Sequence, residues 1–459
     1  MPWMAAGALL GVIGACSPGG LFLLFLVALT AGLLDRLTDL KHRRFIVTLF
    51  LAGFVIRALL SLGLDAGARL AEGQWASKHG APRDWDLGVV DHTREYVKMG
   101  DSDYLSQRGY ALVQYAHGVR EPVVVYRVQQ SYGWSGYAYL VGAFYSLFDF
   151  SPYAVKGLNC LIGALGGVLI FFLVEASFNP VIARWSGLLV TFFPSLILWS
   201  ASNLKEPSLT LCTTLLLLLY VKLWRTRRLQ ARIAYGALLL GTLALHATLR
   251  SPLYSVTLAG AVFLAALLTW RIPGKWRVAL MGGTALLIGA ALWMHPLNAL
   301  LERLYRVHVG HVMLPGISYR YLPEEYYALG KTVELASAGG VHPPVFSSVS
   351  RAVFHYLVEP LPCRIDNASL LLVYPQMVAW YAVLLLASLG MAWSLRWNTR
   401  RSLFLLLMLA AWTSIGALTN GNLGTLVRIR DMVSPLFLVF ACAGLWAVFD
   451  GRPGRAEKV

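Results

Sequence analysis

Asp101 and Asp103 stand two apart in Gly100-Asp101-Ser102-Asp103-Tyr104, directly ahead of a stretch that reads as a helix. A carboxylate held just outside a membrane can take the proton of an attacking hydroxyl, the work of a general base. The same residue type ahead of a helix can instead satisfy free backbone donors as an N-cap. Cations suited to a phosphate occur in three other stretches. Lys205-Glu206 is a tight polar link between apolar runs. There Lys205 could pair with a phosphate and Glu206 could meet a metal ion or an acceptor; a snorkelling Lys beside a solvated Glu is the plainer alternative. Arg250 follows His246 at the end of another apolar run, where its fork matches phosphate oxygens or anchors a lipid headgroup. Arg428 and Arg430 lie two apart in a Gly/Asn-rich link that begins at Asn420. Asp431 could orient them or simply pair with one of them. His308 and His311 have helical spacing but no third ligand in view, and Tyr326, beside Tyr327, could stack on a sugar face or belong to an aromatic belt. Glu206, Tyr104, His308, His311 and Tyr326 are therefore the candidate acceptor or metal contacts. Asp91, His92 and Glu95 complete no metal motif, so the sequence fixes no metal.

The elements that must hold these groups are membrane helices. Of 459 residues, 57% are hydrophobic and only 14% are charged, against about 25% charged in a soluble chain. An ordinary soluble enzyme and a disordered chain are both excluded. Apolar runs read as membrane spans cover about Phe45–Leu64, Ala154–Val174, Ala183–Ser200, Leu209–Leu223, Ile233–Thr248, Tyr254–Trp270, Val278–Trp293, Leu371–Trp393, Leu403–Leu418 and Met432–Val448. Gly133–Phe150 is aromatic and Gly-containing and reads as an interfacial or partly re-entrant helix. The N-terminal run from Trp3 to Leu34 is interrupted at Ser17-Pro18-Gly19-Gly20 and lacks the marks of a signal peptide. The total is about ten to twelve membrane elements. The five Cys show no paired ligand spacing and read as unpaired small apolar side chains.

Charge sets the orientation. Lys and Arg total 39 against 23 acids, a formal charge of +16. The excess sits in short gaps between spans, which the positive-inside rule explains more simply than nucleic-acid binding. With Arg36–Arg44 in the cytoplasm, alternation puts Phe178–Arg184, Lys222–Arg232, Arg271–Arg277, Arg396–Arg401 and the tail on the same side. Both long polar segments then fall outside. The expected division is 1–44, an N-terminal hydrophobic element and basic link; 45–450, the membrane domain, with outside segments 65–132 and 295–370; and 451–459, a cytoplasmic tail.

The first-loop stretch Gly100–Tyr110 leading into Ala111–Gly118, the block Gly136–Leu140 through Lys156-Gly157-Leu158-Asn159, the block Phe178-Asn179-Pro180 through Phe193-Pro194-Ser195 to Ser200, and the late Asn420–Asp431 stretch before Pro435 together resemble the GT-C superfamily. These are multi-spanning glycosyltransferases that use polyprenyl-phosphate sugars. The likeness is to the branch of protein O-mannosyltransferases and aminoarabinose transferases and covers roughly residues 45 to 450. It rests on motif order and topology. The resemblance implies an all-alpha, polytopic protein with a GT-C-like helical core, in a bacterial inner membrane, with its site facing the periplasm or cell exterior. It implies Asp101, or Asp103, as catalytic base, Arg428, Arg430, Arg250 and Lys205 as donor-phosphate ligands, and inversion at the sugar. Divalent-ion dependence varies within the superfamily, so Mg2+ or Mn2+ is a candidate cofactor and none is certain.

The extra N-terminal element and the short second outside segment depart from relatives that act on proteins. They favour a glycan or glycolipid acceptor without excluding a protein. Competing readings are a polysaccharide polymerase or ligase using a diphosphate-linked glycan, and a non-catalytic lipid or glycan transporter or envelope-assembly protein. The spans carry few buried acids of the kind coupled transporters use. Polyprenyl-linked donor, acceptor and membrane lipids are the expected partners, with no nucleic acid.

Overall fold

The computed structural model describes residues 17–79, 102–129, 135–250, 260, 345–361, 374–419 and 423–450. Every regular element among them is a helix, and the chain is polytopic: seven helices are long and apolar enough to cross a membrane, or eight if one bent pair is a single span. The candidate spans Tyr254–Trp270 and Val278–Trp293 lie outside the described residues. The chain divides into two compact units, residues 1–173, 184–218 and 237–251 forming unit 1 and the remainder unit 2.

In unit 1, α1 (Pro18–Leu37) starts where the Pro-Gly-Gly interruption was read. Ser17 Oγ accepts the Gly20 N–H at 3.1 Å and Pro18 supplies a first position that needs no donor. Helix α2 (Leu40–His79) carries the span Leu40–Gly67. Its buried residues Ile46, Phe50, Gly53, Arg57, Ser61 and Asp65 recur every three to four positions, one stripe of a helix. Next come α3 (Ser102–Ala116), α4 (Pro122–Gln129), α5 (Gly136–Phe148) and α6 (Pro152–Ser177). Helix α5 has 13 residues, about 20 Å of rise, too short to span, in keeping with an interfacial element. It crosses α3 closely because Gly109 and Gly142 face each other: a Cβ on Gly109 would meet Val141 Cβ at 2.9 Å.

The run expected as one span over Ala183–Ser200 is two helices, α7 (Pro180–Phe192) and α8 (Pro194–Ser200), bent by 54°. Pro194 supplies no N–H and pushes the preceding residue out of helical conformation; Phe193 sits at φ −69°, ψ 123°. After the link 201–205 come α9 (Glu206–Arg225) and α10 (Leu229–Leu249).

Unit 2 contains residues 174–183 and 219–236 together with α11 (Val345–Val358), α12 (Tyr374–Thr419) and α13 (Leu423–Asp450). Helix α12 is not one rod. Ser402 Oγ donates to the Ser394 carbonyl at 2.8 Å, although eight residues of straight helix would separate them by about 12 Å. The chain reverses there, between the apolar segments Tyr374–Trp397 and Arg401–Ala417. The first arm and α13 cross at Gly390 and Gly444, where a Cβ on Gly390 would collide with the Phe440 carbonyl. Within α13, Pro435 removes the donor for the Asp431 carbonyl, and Ser434 Oγ supplies one at 2.9 Å.

Candidate functional site

Five separated stretches of unit 1 meet in one hydrogen-bonded junction, and its centre is Asn203. The Asn203 N–H donates to Ser102 Oγ at 3.0 Å, which ties the link 201–205 to the first residue of α3. Tyr137, in the first turn of α5, donates its hydroxyl to Asn203 Oδ1 at 2.7 Å. Asn159 of α6 donates through Nδ2 to the carbonyls on either side, Ser202 and Leu204, at 2.8 Å each. Ser135 caps α5 by accepting the Tyr137 N–H at 3.2 Å and donates onward to the Leu249 carbonyl at 3.1 Å, next to Arg250. Ser102, Tyr137 and Asn203 have no exposed surface. Such a fully enclosed polar junction holds its members in one arrangement, because any lost partner leaves a buried group unsatisfied.

This junction places the sequence-derived candidates. Asp103 is half-buried in the first turn of α3, where the helix N-terminus favours negative charge. Both of its carboxylate oxygens accept from Gln107 Nε2, at 3.1 and 3.0 Å. Tyr104 is half-buried and accepts from Arg108 Nη1 at 2.9 Å. Lys205 is half-buried and its carbonyl accepts the Leu209 N–H that opens α9, whose first residue, Glu206, is buried. Arg250 is half-buried at the end of α10. Thus the starts of α3 and α9 and the end of α10 are joined through Ser102, Asn203, Tyr137 and Ser135. Asp101, His308, His311 and Tyr326 lie outside the described residues.

Along α2 and α6 runs a polar column that the sequence does not single out. Lys156 Nζ pairs with Asp65 at 2.8 and 3.0 Å, both side chains about 95% enclosed. Two turns along α2, Arg57 Nε donates to Ser200 Oγ at 2.8 Å and Nη1 to the Gly53 carbonyl at 2.9 Å. Among the described residues no carboxylate is paired with Arg57. Gly163 makes room for it, since a Cβ there would lie 2.8 Å from Arg57 Nε. The available signal was the spacing Arg57, Ser61, Asp65 in an otherwise apolar run, an intramembrane ionisable stripe.

The two late arginines lie in unit 2 and differ. Arg428 is half-buried. Arg430 is 1% exposed and closes the end of α11: Nη1 donates to the carbonyls of Tyr356, Leu357 and Glu359. Its guanidinium lies 5.0 Å from the Trp380 ring centre. Trp380 and Tyr381 serve the same helix end by donating to the Leu357 and Val358 carbonyls. Arg430 Nη1 thus serves backbone carbonyls that a helix C-terminus leaves unsatisfied. His355 and Glu359, unmarked in sequence reading, form a buried pair at 3.1 Å. Among the described residues no three of His, Cys, Asp and Glu gather as metal ligands. The described cysteines Cys160, Cys212 and Cys442 are buried and form no disulfide with one another.

No protein-family model matches this chain, and comparison with curated proteins finds no match. Among solved structures, the chain is similar to an oligosaccharyltransferase of Archaeoglobus fulgidus in the apo form, with 13% identity and a TM-score of 0.45 over 88% of this chain and 51% of that one. It is also similar to the archaeal oligosaccharyltransferase AglB from Archaeoglobus fulgidus in complex with an inhibitory peptide and a dolichol-phosphate, with 15% identity and a TM-score of 0.41 over 88% of this chain and 50% of that one. The chain spans about half the length of these structures.

Proposed function

We propose that this chain is a membrane glycosyltransferase of the GT-C type, moving a sugar from a polyprenyl-phosphate donor to a hydroxyl of a glycan or glycolipid at the outer face of a bacterial inner membrane. The observation that carries the proposal is the Asn203 junction. It joins the acid-bearing start of α3 to Lys205-Glu206 and to the end of α10 beside Arg250. An acid and two cations anchored on one rigid set of helix ends is the inventory that transfer from a phosphate requires.

In the proposed reaction Asp101, with Asp103 as the alternate, takes the proton of the acceptor hydroxyl. The acceptor oxygen attacks the anomeric carbon, the bond to the phosphate oxygen breaks, and polyprenyl phosphate leaves with the bonding pair. A single displacement inverts the anomeric centre. Lys205 and Arg250 offset the charge that develops on the leaving phosphate. In unit 2, Arg428 is a separate candidate for phosphate, and Arg430 is left to its work on α11.

The test is transfer by the reconstituted protein, with donor binding measured alongside. Asp101→Asn or Asp103→Asn should lower turnover roughly 10²–10⁴-fold with donor binding retained. Arg428→Ala should weaken donor binding. Wild-type turnover in both Asp variants removes the proposed base. A wild type that moves intact glycolipid and transfers no sugar replaces this reading with transport.

A further inference from the structure

One end of unit 2 gathers cations that the site in unit 1 does not use. Half-buried Arg401, at the reversal of α12, donates from Nη1 to the Ser177 carbonyl at 3.3 Å. Its guanidinium carbon lies 5.9 Å from the Trp224 ring centre. Trp224 adjoins exposed Arg225 in the last turn of α9. Exposed Lys222, Arg227, Arg228 and Arg232 follow along the same link, and exposed Arg396 flanks the reversal of α12. Residues 219–236 and 393–403 contain no Asp or Glu; the nearest acid along the chain to Ser177 is Glu175.

Two further features say what such a basic end would hold. The cations adjoin a layer of rings: Trp393 and Trp397 lie 4.6 Å apart, and Phe178 stacks on Trp397 at 6.2 Å. Indole rings beside Lys and Arg mark headgroup depth. Large apolar side chains also alternate with the charges. Leu229 is 71% and Ile233 63% exposed beside Arg228 and Arg232, and Leu395 is exposed beside Arg396. A soluble polyanion would leave those side chains in water. A ligand that brings both a phosphate and hydrocarbon covers them.

We propose that this end of unit 2 is a binding site for an anionic glycerophospholipid, its phosphate between Arg401 and Arg225 and its chains along the Trp224 and Trp397 side. The guanidinium fork suits phosphate oxygens, and basic pockets between membrane helices suit anionic headgroups. The site is independent of sugar transfer.

The experiment uses the full chain in phosphatidylcholine bilayers, alone and mixed with phosphatidylglycerol, followed by native mass spectrometry of retained lipid. Wild type should retain phosphatidylglycerol selectively. Arg225→Gln/Arg401→Gln should lower that retention roughly tenfold, while Arg36→Gln/Arg44→Gln, which removes the same charge from the basic link of unit 1, should leave it unchanged. If the Arg401 variant does not fold, Arg225→Gln/Arg228→Gln, at exposed positions, carries the same expectation. Equal loss in both charge-matched variants reduces the effect to general attraction and overturns the site. Unchanged retention overturns it as well. Displacement of the lipid by millimolar inorganic phosphate would make it a site for free anions instead.

Discussion

Lys156 and Asp65 show what a buried charge costs and what it fixes. Their separation of 2.8 Å with almost no exposed surface means that neither is solvated by water. Removing one partner leaves the other as an uncompensated buried charge, at about 3–5 kcal/mol, whereas replacing both by apolar residues is often neutral or better. Lys156→Met should therefore lower stability by about 3–5 kcal/mol, and adding Asp65→Leu should restore most of it. Reversible unfolding in bicelles measures both; a single variant as stable as wild type would remove the pair from the architecture. Asn203 is tested differently. Tyr137→Phe and Asn203→Leu should each destabilise by about 1–3 kcal/mol and couple by at least about 0.5 kcal/mol in a double-mutant cycle. Under the proposed function Asn203→Leu should also lower kcat more than it raises KM, because the residue positions the start of α3 and never touches donor. Loss confined to KM would argue against that positioning.

Helix ends and crossings carry the element-scale energetics. Arg430 holds three carbonyls at the end of α11 with one nitrogen. Hydrogen bonds from a charged donor contribute about 1.5–3 kcal/mol, so Arg430→Met should destabilise by about that amount and speed hydrogen exchange at 357–361. Donor affinity should be unchanged once the folded fraction is accounted for. The Gly390–Gly444 crossing is stricter, because the obstructing atoms are backbone. Gly390→Val should cost about 3 kcal/mol or prevent assembly of the α12–α13 pair, read as loss of the folded fraction on unfolding titration. Much of this level was legible beforehand. Bilayer thickness fixes span length, so the runs at Phe45, Ala154, Leu209, Ile233, Leu371 and Met432 predict helices close to those seen. The 54° bend was hidden because Pro194 sits in an unbroken apolar run and hydropathy ignores a missing donor. Arg57 was hidden for a related reason: its neighbours outvote it. Asn203 was invisible because its partners Ser102 and Tyr137 are 101 and 66 residues away, and nothing local distinguishes it from an ordinary turn residue. Asp103, Lys205 and Arg250 could be picked out singly, while their common junction is a property of packing alone.

At the scale of the whole molecule, the basic links carry the proposed topology. In unit 2, Ser177, Trp224 and Arg401 lie together, which groups three of the gaps that charge alternation assigned to one side. The proposed orientation puts Lys78 and Ala336 on the outer face and Glu457 in the cytoplasm. Single cysteines at those positions should react with an impermeant maleimide from outside for the first two and only after permeabilisation for the third. Labelling of Lys78→Cys and Ala336→Cys from opposite sides would sink the topology. The sharp reversal within α12 has a consequence for biosynthesis. Its second arm, Arg401–Ala417, is a shorter apolar helix than the seven candidate spans, below the roughly 20 residues that cross a bilayer unaided. The first arm, Tyr374–Trp397, meets the length by itself. During synthesis the later arm would leave the insertion machinery as cargo of the earlier one, drawn in because only a few residues separate them. A chain interrupted within the first arm should therefore mislocalise the second to the aqueous phase, although none of its own residues had changed.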